Sequence, residues 1–187
     1  MFSLLSISQS KKNAKAEAEK LYREILRQSR LPVFYERAGV PDTVDGRFEM
    51  IVLHMVLFVY CLSGQGRDGA KTAQALFDRV FRDMDMAIRE IGVGDLSVGK
   101  HMKRMASAYN GRLQAYENCL PEKCDRSALM EAFVRNLYGT VEDKNPLVIE
   151  HMADYMIANA EILMRDGASA DFRFLPAERF ILQGEVS

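Results

Sequence analysis

At 187 residues, with 48% hydrophobic and 27% charged residues, the chain has the make-up of an ordinary globular protein and enough length to bury roughly 70% of its unfolded surface. A net charge of −1 argues against a global field that would draw it to nucleic acid, and nothing points to DNA. Three cysteines, Cys61, Cys119 and Cys124, with no CxxC pair argue against a disulfide framework and a zinc site and fit a reducing compartment.

The N-terminal MFSLLSISQSKK has its apolar residues ahead of its lysines, the reverse of a secretory signal, and Glu17, Glu19 and Glu24 disfavour a transit peptide. The expectation is a protein that is not exported. From Lys11 to Arg30 the apolar residues Ala14, Ala18, Leu21, Tyr22, Ile25 and Leu26 recur at helical spacing. Seven Lys or Arg against three Glu give this segment a net +4, so it reads as a basic amphipathic helix able to lie on an anionic surface, lipid or ribosomal RNA. Pro32 breaks it, and PVFYERAG leaves room for a turn or two of helix before Gly39 and Pro41.

Asp42 or Thr43 is placed to cap the next helix, with Asp45 in its first turn, favoured by the helix dipole. Its opening stretch, DGRFEMIVLHM, puts three charges and His54 at the mouth of an apolar run. Val44, Phe48, Ile51, Met55, Val59 and Leu62 form one stripe, and Leu53, Val56, Leu57 and Phe58 fill the other faces, as in a central buried helix. The uncharged run Met50 to Leu62 is shorter than the roughly 20 residues a bilayer requires.

SGQGRDG predicts a break, after which Ala73, Phe77, Val80, Met84, Ile88 and Ile91 mark a helix that GVGD ends. Val98, Met102, Met105, Tyr109, Leu113, Tyr116 and Leu120 mark another, closed by Pro121. Shorter periodic segments cover about 126 to 139 and 146 to 165, and the tail ADFRFLPAERFIL reads as extended and then helical. With short connections and no convincing strand alternation, the expectation is all-α: one domain over 1–187, a bundle of six or seven helices.

Four features invite a chemical reading. Gly94 to Lys100 fits the first seven positions of a phosphate-binding loop, but His101 stands where a magnesium-holding hydroxyl belongs and a helix precedes it where a strand should. A tight turn, with the glycines supplying φ > 0, accounts for it; the rival reading is a nucleotide- or phosphate-binding enzyme. Asp83, Asp85, Glu90 and Asp95 suggest a cation site, yet Asp83 and Asp85 stand about 200° apart on a helix, while Asp85 and Arg89 make an i, i+4 pair. His54, His101 and His151 fall on three different helices without metal-ligand spacing, and neither Cys119 nor Cys124 carries a nucleophile motif. Eleven methionines supply core filler or an adaptable apolar surface.

The order of PDTVDGRF at 41–48, Leu53-His54, DMD at 83–85, RE-x-GVGD at 89–95, Gly99-Lys100, Met102-Lys103 and Gly111-Arg112 resembles the ubiquinol-cytochrome c chaperone family over about residues 20 to 120. The resemblance implies an assembly factor, not an enzyme, with no cofactor of its own. Its mitochondrial members bind newly made cytochrome b near the ribosomal exit, with a second small protein as partner. This chain lacks their long targeting extension and so looks like a bacterial version in the cytoplasm, peripheral at the inner face of the membrane if its basic helix binds lipid. The partner-binding residues it implies are Asp45, Arg47, Phe48, His54, Asp83, Met84, Asp85, Arg89, Glu90, Asp95, Lys100, Met102, Lys103 and Arg112. They would serve either as the polar rim of a Met- and aromatic-lined groove or as internal ties of the bundle. A peripheral membrane adaptor working through residues 1–30 is the remaining reading.

Overall fold

The computed structural model describes residues 2–90, 92–120, 125–169 and 171–181, with side chains from residue 8 onward except that of Leu96. Ile91, Pro121 and Cys124 lie outside the described residues. The described chain is all-α, with six helices of ten residues or more: α1 Phe2–Ser29, α3 Val44–Ser63, α4 Gly66–Glu90, α5 Asp95–Glu117, α6 Arg126–Arg135 and α7 Pro146–Asp166. Two short ones, α2 Pro32–Glu36 and α8 Glu178–Ile181, make the total eight among the described residues, where six or seven were expected.

The boundaries differ from the sequence expectation in four places, one of them the end of α5, which stops at Glu117 where the apolar series was expected to run to Leu120. Helix α1 begins at Phe2 and not near Lys11, because no proline or glycine interrupts residues 2–10. Most of SGQGRDG is helical, the break being confined to Gly64 and Gln65, and Gly66 (φ 67°) turns the chain into α4. Helix α6 stops at Arg135, four residues short of the expected end, and residues 136–140 form turns. The tail is extended and then helical, as expected.

Helix α3 is the axis of the core. Met50, Val52, Leu53, Met55, Val56, Leu57 and Phe58 have no measurable exposure, consistent with a sequence apolar on every face. Each such side chain contributes about 1.5–3 kcal/mol by leaving water. By length and composition α3 is long and apolar enough to cross a membrane, but it reaches 20 residues only by including Asp45, Arg47 and Glu49, and 72% of its apolar window is buried in the protein. Helices α1, α4, α5 and α7 pack around it.

The start of α3 is set by Thr43, whose Oγ1 accepts the Gly46 N–H at 3.1 Å. Gly46 itself lies so close to the Pro41 carbonyl oxygen that a Cβ would collide with backbone. Gly46→Ala, a change that favours an open helix by about 1 kcal/mol, is therefore expected to destabilise this protein by about 1–3 kcal/mol in a denaturant titration.

A polar network runs through the apolar interior. The His54 Nδ1–H donates to the Met50 carbonyl at 2.7 Å, and the Tyr155 hydroxyl donates to His54 Nε2 at 2.8 Å. Gln28 Nε2 donates to the Tyr155 oxygen at 2.9 Å and to the Leu175 carbonyl at 3.0 Å. Glu24 accepts the Phe174 N–H and Asn159 accepts the Leu175 N–H, so α1 and α7 together hold the tail across the core. Phe174 closes over the His54 ring at 4.8 Å and over Phe58 at 5.0 Å.

Candidate functional site

The largest concavity described, about 870 Å³, opens where the first turns of α3, one face of α5 and the end of α6 converge beneath the α4–α5 turn. Phe48, Met105, Ala108 and Leu137 give it an apolar lining, extended by Ile88 and Val93 at the turn. The polar lining includes Asp45 from α3, His101 and Arg104 from α5, and Arg135 from the end of α6. Along α5 the groove takes residues 101, 104, 105, 108 and 112, the i, i+3, i+4, i+7 spacing of one helix face. On that face Met105 and Ala108 are only half-buried.

One ion pair joins the two long walls. Arg112 grips Glu49 in a fork, with Nη2 to Oε1 at 2.6 Å and Nε to Oε2 at 3.1 Å, and the side chains are 23% and 8% exposed. Burial pushes the Glu49 carboxyl above the usual carboxylate range, against the pull of the Arg112 guanidinium. A charge on a helix apolar all round has to find such a partner; that was the available signal for Glu49, which the sequence reading left out.

The structure scatters the expected site residues and does not gather them into one site. Asp45, Phe48 and Arg112 come together at the groove. His54 is sealed in the core, where burial lowers its imidazole to about 4. Asp83 faces α1, accepting from the Tyr22 hydroxyl and from Arg79 at 3.2 Å, while Arg79 lies 4.2 Å over the Tyr22 ring and bonds Glu19 at 2.7 Å; Met84 is buried in the core. Asp85, Arg89 and Asp95 form one cluster in which Arg89 bridges Asp85 at 2.7 Å and Asp95 at 2.6 Å, fastening the end of α4 to the start of α5. Arg47 is exposed and bonds Asp42 at 2.6 Å. Glu90, Lys100 and Lys103 are exposed and Met102 half-buried. His101, Arg104, Met105 and Arg135 line the groove without having been singled out as site residues, since only the tertiary meeting of α5 with α6 brings them there.

The glycine-rich turn has no phosphate-loop geometry. A helix precedes it, Gly92 supplies a positive φ of 85°, and Gly94, expected to share that role, has an ordinary φ of −60°. No group of three His, Cys, Asp or Glu among the described residues is placed to hold a metal ion.

Residues 36–173 match the family described as ubiquinol-cytochrome C chaperone. That span takes in α6, α7 and the start of the tail, beyond the residues 20–120 that carry the motif resemblance. The ubiquinol-cytochrome-c reductase complex assembly factor 1 of Xenopus laevis is 22% identical over 153 residues, 82% of this chain and 70% of the frog protein. The Homo sapiens protein of the same name is 21% identical over 178 residues, 95% of this chain and 56% of its own length. The chain thus spans about half the length of the mammalian relatives it matches. A crystal structure of the Cbp3 homolog from Brucella abortus has the same fold, with a TM-score of 0.80 and 28% identity over 96% of this chain and 99% of that one.

Proposed function

The chain belongs to the ubiquinol-cytochrome c chaperone family, and from that membership we propose that it is an assembly chaperone for ubiquinol-cytochrome c reductase whose α3–α5–α6 groove receives a segment of a membrane-protein client, cytochrome b. The observation that carries this reading is the groove itself: an open, apolar-lined channel with charged side chains at its edges, bordered by the DGRF stretch that opens α3. An apolar client segment between synthesis and assembly needs a temporary surface that excludes water, and a cleft between amphipathic helices, with Met105 and Phe48 in its lining, supplies one. The work is reversible binding and not catalysis. His54 and Tyr155, two strongly shifted groups, belong to the sealed core and serve to fasten the helices that shape the groove.

The same proposal places the protein in the cytoplasm, against the inner face of the membrane. Lys11, Lys12, Lys15, Lys20 and Arg23 on α1, and Arg30 just past its end, are all exposed, and the opposite side of α1 buries Ala14, Ala18, Leu21 and Ile25 in the core. This face meets an anionic surface, lipid headgroups or the ribosome, by charge alone.

The test is affinity capture of the tagged chain from a crosslinked native membrane fraction. Cytochrome b, or another subunit of the reductase, is the expected product. Recovery of no reductase subunit above an untagged control would count against the reading.

A further inference from the structure

We propose that the groove selects an apolar client segment bearing a carboxylate, which pairs with Arg104 and Arg135. This rests on the reading of the groove as the client site and adds the chemistry of the occupant.

Charge in the groove is left without a strong partner. Three guanidinium groups and two carboxylates line the groove. Arg112 and Glu49 satisfy each other in the fork between α5 and α3. Of the remaining three, Arg104 is exposed and makes no hydrogen bond or ion pair among the described residues, and the one ion pair Arg135 makes among them is a 3.6 Å contact with Glu131, at 61% and 70% exposure. Such a surface contact contributes little and is readily exchanged. The opposing charge is Asp45, at the N-terminus of α3, where the helix dipole already favours its negative charge. The open groove therefore has two available cations above an apolar lining, with His101 beside them as a further donor. An apolar segment without charge would strand both guanidinium groups as it excluded water, and a basic one would be repelled. An acidic residue on the segment would restore their pairing where solvent has been removed and the pairing is stronger. A second copy of this chain, or an uncharged apolar segment, are the other occupants the cleft admits.

The test uses the full chain in cells, with a photoreactive phenylalanine analogue at Val44, 71% exposed at the groove edge, and at Met164, 43% exposed on α7 outside it. The captured peptide is sequenced by mass spectrometry. The expected result is capture at position 44 of an apolar segment containing Asp or Glu. That capture should fall about fivefold or more in Arg104→Ala/Arg135→Ala, the sum expected for two modest ion pairs, and persist in Arg104→Lys/Arg135→Lys. Both arginines are exposed, so neither variant tests folding. Capture no greater than at 164, a segment without an acidic residue, a second copy of this chain, or indifference to the double alanine change would each overturn the proposal. If reductase assembly still depends on the chain in that event, only the acidic selection fails. If assembly is independent of it, the chaperone reading fails as well.

Discussion

Arg112→Ala is expected to lower the stability of the protein by about 3 kcal/mol at neutral pH, the lower end of what breaking a buried ion pair costs. The cost comes from what is left behind. Glu49 is 8% exposed on a helix that is otherwise apolar, and without the fork it keeps its charge in a site that already raises its pKa by burial. Glu49→Met/Arg112→Met, which removes both charges and keeps the volume, should recover most of the loss. The pH dependence separates this mechanism from simple loss of packing. With the guanidinium gone, the folded-state pKa of Glu49 moves further above its ordinary value of 4.5. A group with a raised folded pKa contributes stability that is complete below the unfolded pKa and lost as pH rises through the folded one. The deficit of Arg112→Ala should therefore close as pH falls toward 4.5 and open as it rises, read from urea titrations at several pH values. A constant deficit would mean that only the packing of the arginine stem was lost.

The second large effect is acid sensitivity centred on His54. Its imidazole is lowered by burial from 6.5 to about 4, although the Met50 carbonyl and Glu24 pull the other way. The unfolded chain therefore binds this proton more readily than the folded one between those values, and stability falls as pH drops through that window. The contribution is fully present above 6.5 and lost by about pH 4, amounting to about 3 kcal/mol. His54→Gln should be less stable than the parent at pH 7 by about 1–3 kcal/mol, from the broken network, yet lack this part of the acid slope. Glu49 titrates over part of the same range with the opposite sign, so the difference between parent and variant is the quantity to measure. The tail should respond first to protonation, because Phe174 rests on the imidazole and Leu175 is held by Gln28, the residue that also donates to Tyr155.

What the sequence made legible follows from range. Periodicity and breakers act over a few residues, and they located every long helix, the buried character of α3 and the i, i+4 pair of Asp85 with Arg89. His54, named among the partner-binding residues, is instead sealed in the core by two hydrogen bonds, the second from Tyr155, 101 positions away. Glu49 and Arg112 are 63 apart, and no local spacing announces such a pair. The groove is illegible for the same reason, since its walls come from three helices that only the packing brings together. The resemblance placed Asp45, Phe48 and Arg112 among the candidate residues, and the structure gathers these at the groove, while it spreads Asp83, Asp85 and Arg89 over helix-to-helix fastenings. A motif read along a chain does not distinguish residues that shape a surface from residues that form it.

The most direct measurement is the amount of assembled ubiquinol-cytochrome c reductase in membranes of a strain deleted for this gene, resolved by native electrophoresis and by the reduced-minus-oxidised haem spectrum. The account predicts a marked loss of assembled reductase that the wild-type gene restores and Arg104→Ala/Arg135→Ala restores less well. Normal levels and a normal rate of assembly in the deletion strain would contradict it.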